Sequence, residues 1–132
     1  MTDYVLDTAV FLWSLGPSER LNRKAREILE DGGQRLFFSV VSAWEVSIKF
    51  ASGKLKLPEI PSLYVPSRIK ALGLRQLPIL TEHALLAGGL PAHHLDPFDR
   101  MLIAQARTEG LTLMSADPLF KSYDVEVLWC GK

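Results

Sequence analysis

Five short strand-like runs, at residues 4–6, 36–40, 74–77, 111–114 and 125–128, alternate with longer segments whose apolar residues recur at helical spacing. This alternation constrains the fold more than any other feature. Strands separated by helices pair in parallel and place helices on both faces of the sheet. The first run stops at Asp7, and residues 8–13 read as a helical turn. Gly16 and Pro17 break the chain, and Ser18 is expected to cap a helix that buries Leu21, Ala25, Ile28 and Leu29. A further helix is expected from about Ser42 until Gly53 stops it, with Val41, Trp44, Ile48 and Ala51 facing inward. Residues 62–72 predict a helix with Pro66 interrupting its start, and Thr81 caps a short one that runs out at Gly88 and Gly89.

A chain of 132 residues suits one compact domain spanning 1–132, with no repeat or linker dividing it. The 48% hydrophobic and 23% charged fractions are ordinary for a globular protein. No apolar run reaches the length of about eighteen residues that a membrane span needs. Residues 1–4 lack the basic and apolar regions of a secretion signal. Cys130 is the one cysteine and forms no internal disulfide, which fits a reducing cytoplasm. Fifteen acids balance fifteen bases, which argues against a protein that coats nucleic acid but leaves a nucleic-acid enzyme open.

The chemistry centres on residues 94–106. Asp96 and Asp99 stand three apart at the mouth of a helix, with Pro97 suited to its first turn and Leu102, Ile103 and Ala106 on its packed face. Other acids hold equivalent places. Asp7 ends the first strand, Asp117 follows the fourth by two residues, and Glu45 lies in the first turn of the helix after the second. A parallel sheet gathers strand ends and following helix starts along one edge, where ligands bind.

Each acid alone has a plainer explanation. Asp7, Asp96 and Asp117 suit helix N-caps, and Ser42 with Glu45 spells a capping box. The pattern favours a shared site, because the helices expected at Ser18, Ser62 and Thr81, away from that edge, carry neutral hydroxyl caps. Clustered carboxylates must raise their pKa values or hold a cation, and oxygen-only ligands suit Mg²⁺ or Mn²⁺. Such a site can hydrolyse a phosphodiester with activated water.

Other residues stay open at this point. Lys49 lies one turn after Glu45, either as an i,i+4 pair or as a phosphate contact. Arg100 beside Asp99 is equally ambiguous, and Thr8 and Ser115 can hydrogen-bond the acids or a bound water. His93 and His94 have no partner group at zinc spacing, so His94 reads as structural. Trp13, Trp44 and Trp129 read most simply as core or interface residues. No glycine-rich phosphate loop or nucleophile elbow is present.

Residues 5–8, 42–49, 53–55, 94–106 and 114–117 together resemble the PIN-domain family, and most closely the VapC toxins of bacterial toxin–antitoxin pairs. The pieces occur in family order and cover nearly the whole chain. The resemblance implies an α/β fold, a PIN-like three-layer α/β/α sandwich around a mostly parallel sheet of four to five strands. It also implies a Mg²⁺- or Mn²⁺-dependent endoribonuclease. Asp7, Glu45 and Asp99 match the family's principal acids, Asp117 matches the more variable fourth, and Asp96 belongs to the subgroup's local motif. RNA as substrate, an inhibitory VapB-type antitoxin and a toxin homodimer follow from the same resemblance. Two rivals are a structure-specific nuclease that processes DNA or RNA, and a catalytically silent protein-binding module.

Overall fold

The computed structural model describes residues 2–16, 18–93 and 96–132. Five strands form one sheet: β1 (Asp3–Leu6), β2 (Arg35–Ser39), β3 (Arg75–Leu77), β4 (Thr112–Ser115) and β5 (Val127–Trp129). Their order is β3-β2-β1-β4-β5, and every pairing is parallel. The helices are α1 (Thr8–Ser14), α2 (Arg23–Glu30), α3 (Val40–Ala51), α4 (Pro61–Leu72), α5 (Thr81–Gly89) and α6 (Pro97–Glu109). Short 3-10 turns cover Ser18–Arg20 and Pro118–Ser122.

Period-two alternation in the strands builds two cores, one on each face. Leu6 of β1, Phe38 of β2 and Met114 of β4 enter one core with Phe11, Ala25 and Val46 from the helices. Val5 and Leu113 point the opposite way, into a core with Leu102, Ile103, Ala106 and Phe120. The expected three-layer α/β/α arrangement with a parallel sheet is therefore present, with five strands.

The helix boundaries correct several expectations. Residues Ser18–Arg20 form a 3-10 turn, and α2 starts later, capped by the Asn22 side chain accepting from Ala25 N–H. Helix α4 runs unbroken through Pro66; its N-cap is Ile60, followed by Pro61, rather than Ser62. Leu80 rather than Thr81 caps α5, and its backbone N–H donates to His83 Nδ1 at 2.9 Å. All three caps are still uncharged.

Helix α3 begins at Val40, with the Ser39 side chain accepting from Val41 N–H. That start turns Val41, Ser42, Glu45 and Val46 inward. Trp44 and Ile48 are 60% and 41% exposed, and Ala51 is exposed too, so the inward face expected for these three is wrong. The cause is polar. Ser42 and Glu45 find buried partners, so the helix rotates them inward at the expense of larger apolar residues.

Candidate active site

In a parallel sheet a crevice opens where successive connections leave in opposite directions. Here that point lies between β1 and β4. The chain passes from β1 outward to β2 and β3, then returns to add β4 on the other side of β1. Asp7 and Asp117 follow these two strands, and Asp7 N–H donates to Met114 O at 3.0 Å across the junction. A cleft of about 420 Å³ opens there, lined by Asp7, Glu45, Asp96, Asp99 and Asp117, with Thr8, Trp13 and Lys49 also in its wall. The three principal acids predicted from the sequence, with Asp117 and Asp96, share one crevice.

Asp7 is buried and caps α1. Its Oδ1 accepts from Val10 N–H at 2.7 Å, and its Oδ2 accepts from Ser115 Oγ at 2.5 Å. Ser115 Oγ in turn accepts from Asp117 N–H at 3.0 Å. Capping and cleft-lining are thus compatible, since the cap uses one carboxylate oxygen. Asp96 and Asp117 divide their roles in the same way. Asp96 Oδ1 accepts from Phe98 N–H at 2.8 Å, and Asp117 Oδ1 accepts from Leu119 N–H at 2.9 Å.

Glu45 makes no capping box, because its helix starts five residues before it. Its Oε1 accepts from Thr8 Oγ1 at 2.6 Å, and Oε2 faces Lys49 Nζ at 2.5 Å. Thr8 Oγ1 also lies 2.8 Å from Ser42 Oγ, so the hydroxyl read as a cap is part of the site's support. The i,i+4 pairing of Lys49 is therefore real, and its side chain stays 44% exposed against 7% for Glu45.

The electrostatics reflect crowding. Burial, then the charges of Asp96, Glu45, Asp7 and Asp117, push Asp99 up to about 8. Asp7 rises to about 6, chiefly by burial, with Asp117 and Glu45 adding and the bonds from Ser115 and Val10 opposing. Lys49 is held above its usual range, first by its hydrogen bond to Glu45. Cys130 is buried nearby, its thiol pushed up to about 12 by burial and then by Asp7, which makes it unreactive.

Arg100 turns away from the cleft. Its guanidinium donates to Leu90 O at 2.7 Å and Pro91 O at 3.0 Å, fastening α6 to the end of α5. The expectation for His94 lies outside the described residues. Of the tryptophans, Trp13 lines the cleft, Trp44 packs edge-on against Phe98 at 5.3 Å while largely exposed, and Trp129 is 37% exposed. Trp13 also packs against the core around Phe11, whereas Trp44 and Trp129 are exposed.

A buried polar residue that the sequence did not flag completes the frame. Gln105 of α6 accepts from Ser39 Oγ at 2.5 Å and donates to Pro78 O at 3.1 Å. It ties the helix bearing Asp99 to the junction that starts α3. Its side-chain type at a packed helical position was the available signal. Among the described residues, Glu82, His83 and Glu109 bring their ligand atoms within 4.8 Å of one another. His83 already accepts from Leu80 N–H and pairs with Glu109 at 2.8 Å, so this group is a buttress between α5 and α6.

The donor set fits a small hard cation. It is all oxygen, and burial and mutual repulsion hold two of its carboxylates above their usual range. Mg²⁺ keeps several waters and uses few direct carboxylates, so an open cleft rather than a tight cage is the right shape.

Comparison with known proteins agrees with this fold. The family model for the PIN domain matches residues 4–126. The curated protein Ribonuclease VapC16 of Mycobacterium tuberculosis is 33% identical over 76 residues, which cover 56% of this chain and 54% of that protein. The match thus spans about half the length of that relative. Among solved structures, VapBC from Salmonella typhimurium bound to DNA aligns with a TM-score of 0.73 at 20% identity, covering 97% of this chain and 98% of that one. VapBC-5 from Mycobacterium tuberculosis aligns at 0.63 and 19% identity, covering 98% and 99%. At such identities these two show a shared fold. With its acids gathered at the β1/β4 crevice and its family match running almost end to end, this chain belongs to the PIN domain family.

Proposed function

We propose that this protein is a metal-dependent endoribonuclease acting as the toxin of a VapBC-type toxin–antitoxin pair. The observation that carries the proposal is the convergence of Asp7, Glu45, Asp99 and Asp117 from separate elements onto one cleft at the sheet's switch point. The relative named as a VapC ribonuclease and the VapBC structures sharing the fold support it. RNA as substrate, a VapB-type antitoxin, a homodimer and a cytoplasmic setting belong to the same proposal. Among the described residues no helix is long and apolar enough to cross a membrane.

In this reading Asp7, Glu45, Asp99 and Asp117 hold the ion directly or through water, and Asp96 adds charge at the rim. Bound Mg²⁺ or Mn²⁺ supplies Lewis acidity that makes water a better nucleophile and offsets charge on the phosphodiester. Ser115 and Thr8 orient Asp7 and Glu45 through their hydroxyls, fixing where the acid oxygens point. The negative cleft repels a phosphodiester until the cation is in place, which makes substrate binding and cation binding interdependent.

The test is release of cleaved RNA with Mg²⁺ or Mn²⁺, compared with Asp99→Asn. Cleavage that persists undiminished in a folded Asp99→Asn protein, or that proceeds equally in chelator, would remove the acids from the mechanism. Matched RNA and DNA substrates separate this reading from a DNA-processing nuclease.

A further inference from the structure

Lys49 is the one basic side chain lining the acidic cleft among the described residues. Its ammonium meets Glu45 Oε2 at 2.5 Å, and the charges of Asp96 and Asp99 also act on it. The other oxygen of Glu45 is fixed by Thr8. Thr8 and Lys49 thus take one Glu45 oxygen each, so a cation that binds Glu45 at Oε2 meets the ammonium there. The lysine differs from the acid in one important respect. Glu45 is buried, whereas Lys49 is nearly half exposed on a flexible four-carbon stem, so it can swing into solvent at little packing cost.

We infer that Lys49 is a built-in counter-cation that competes with the divalent ion for Glu45 and so sets the affinity of the cleft for that ion. The inference rests on the nuclease reading, because it takes the cleft as the ion's site. Lys49 neutralises part of the acid cluster and keeps Glu45 correctly placed against Thr8. Entry of the ion then displaces the ammonium from Oε2. Binding is weakened because the Lys49–Glu45 ion pair must break and because the two cations repel each other. Lys49 thus acts through Glu45 as a positioning residue.

The experiment titrates Mn²⁺ into the full chain by calorimetry and by electron paramagnetic resonance of the free ion, at low ionic strength. The proteins are wild type, Lys49→Met, Lys49→Arg and Asp99→Asn. Lys49→Met keeps the stem and removes the charge, and it should bind Mn²⁺ about three- to tenfold more tightly, as expected for a unit charge near a divalent ion under water-like screening. Lys49→Arg should stay within about twofold of wild type, and the gain in Lys49→Met should shrink as salt is raised. Metal-free Lys49→Met should melt at a lower temperature and show the larger rise on adding Mn²⁺, a pattern that general damage to folding would not produce. If Lys49→Met folds poorly, Lys49→Gln serves as the uncharged variant with the same expected direction.

Unchanged or weaker Mn²⁺ binding in the uncharged variants, while wild type binds and Asp99→Asn does not, overturns this inference and leaves the metal site standing. A raised KM for RNA with unaltered Mn²⁺ affinity likewise overturns it, making Lys49 a phosphate-binding residue instead. If wild type and Asp99→Asn take up Mn²⁺ alike, the ion does not go to the cleft, and the nuclease reading falls together with this inference.

Discussion

Ser115 Oγ donates to Asp7 Oδ2 at 2.5 Å, so the last residue of β4 holds the acid that follows β1. The same oxygen of Ser115 accepts from Asp117 N–H at 3.0 Å. One hydroxyl therefore registers two of the cleft acids against each other across the switch point. Replacing Ser115 with Ala should reduce RNA cleavage by about 10- to 100-fold, the usual cost of removing a partner that orients a metal ligand. Stability should also fall by about 1–3 kcal/mol, since a buried carboxylate loses its donor. Cleavage rates and urea unfolding of the variant measure both.

Asp7→Asn and Asp99→Asn should each lose at least about 100-fold in cleavage while remaining folded. Their stabilities should move the other way from a typical core substitution. Removing one repelling charge from the cluster should raise metal-free stability at pH 8, by about 1 kcal/mol for Asp99→Asn. A melting series without metal checks the sign.

The stability of the metal-free protein should depend on pH in a direction opposite to that of salt-bridged acids. Asp7 and Asp99 have folded pKa values of about 6 and about 8, both above the ordinary aspartate value of 3.8. Between roughly pH 4 and pH 8 the folded state therefore binds more protons than the unfolded state, and the unfolding free energy falls as pH rises. The share of the decline due to Asp7 and Asp99 ends once pH passes the folded pKa of Asp99. Saturating Mn²⁺ or Mg²⁺ should flatten or reverse this slope, because the ion binds the ionised acids and its affinity rises with pH. Melting temperatures from pH 5 to pH 9, with and without Mn²⁺, test this.

Gln105→Met should destabilise the fold by about 1–3 kcal/mol despite its similar volume. The substitution leaves the Ser39 hydroxyl and the Pro78 carbonyl without the amide that bridges them. Because Ser39 also caps α3, cleavage should fall more than stability alone explains, through a displaced Glu45. Comparison at a temperature where both proteins are fully folded separates the two effects.

Local pattern in the sequence determined the alternation of strand and helix, the parallel sheet with two cores, and which acids stand at strand ends and helix starts. Periods of two and of 3.6 residues are readable because they depend on neighbours a few positions away. Tertiary structure decided what those acids do. A Ser42–Glu45 spacing is the same on paper whether it caps a helix or supplies a buried carboxylate. The outcome here turned on α3 starting at Val40, which leaves Glu45 past the first turn and facing Thr8, 37 residues away. Likewise Arg100 found backbone carbonyls at Leu90 and Pro91 instead of the cleft, and Trp44 was turned outward once Ser42 and Glu45 had buried partners. Burial of a polar group requires a partner, and such a partner can come from any distance along the chain. No local spacing announces it.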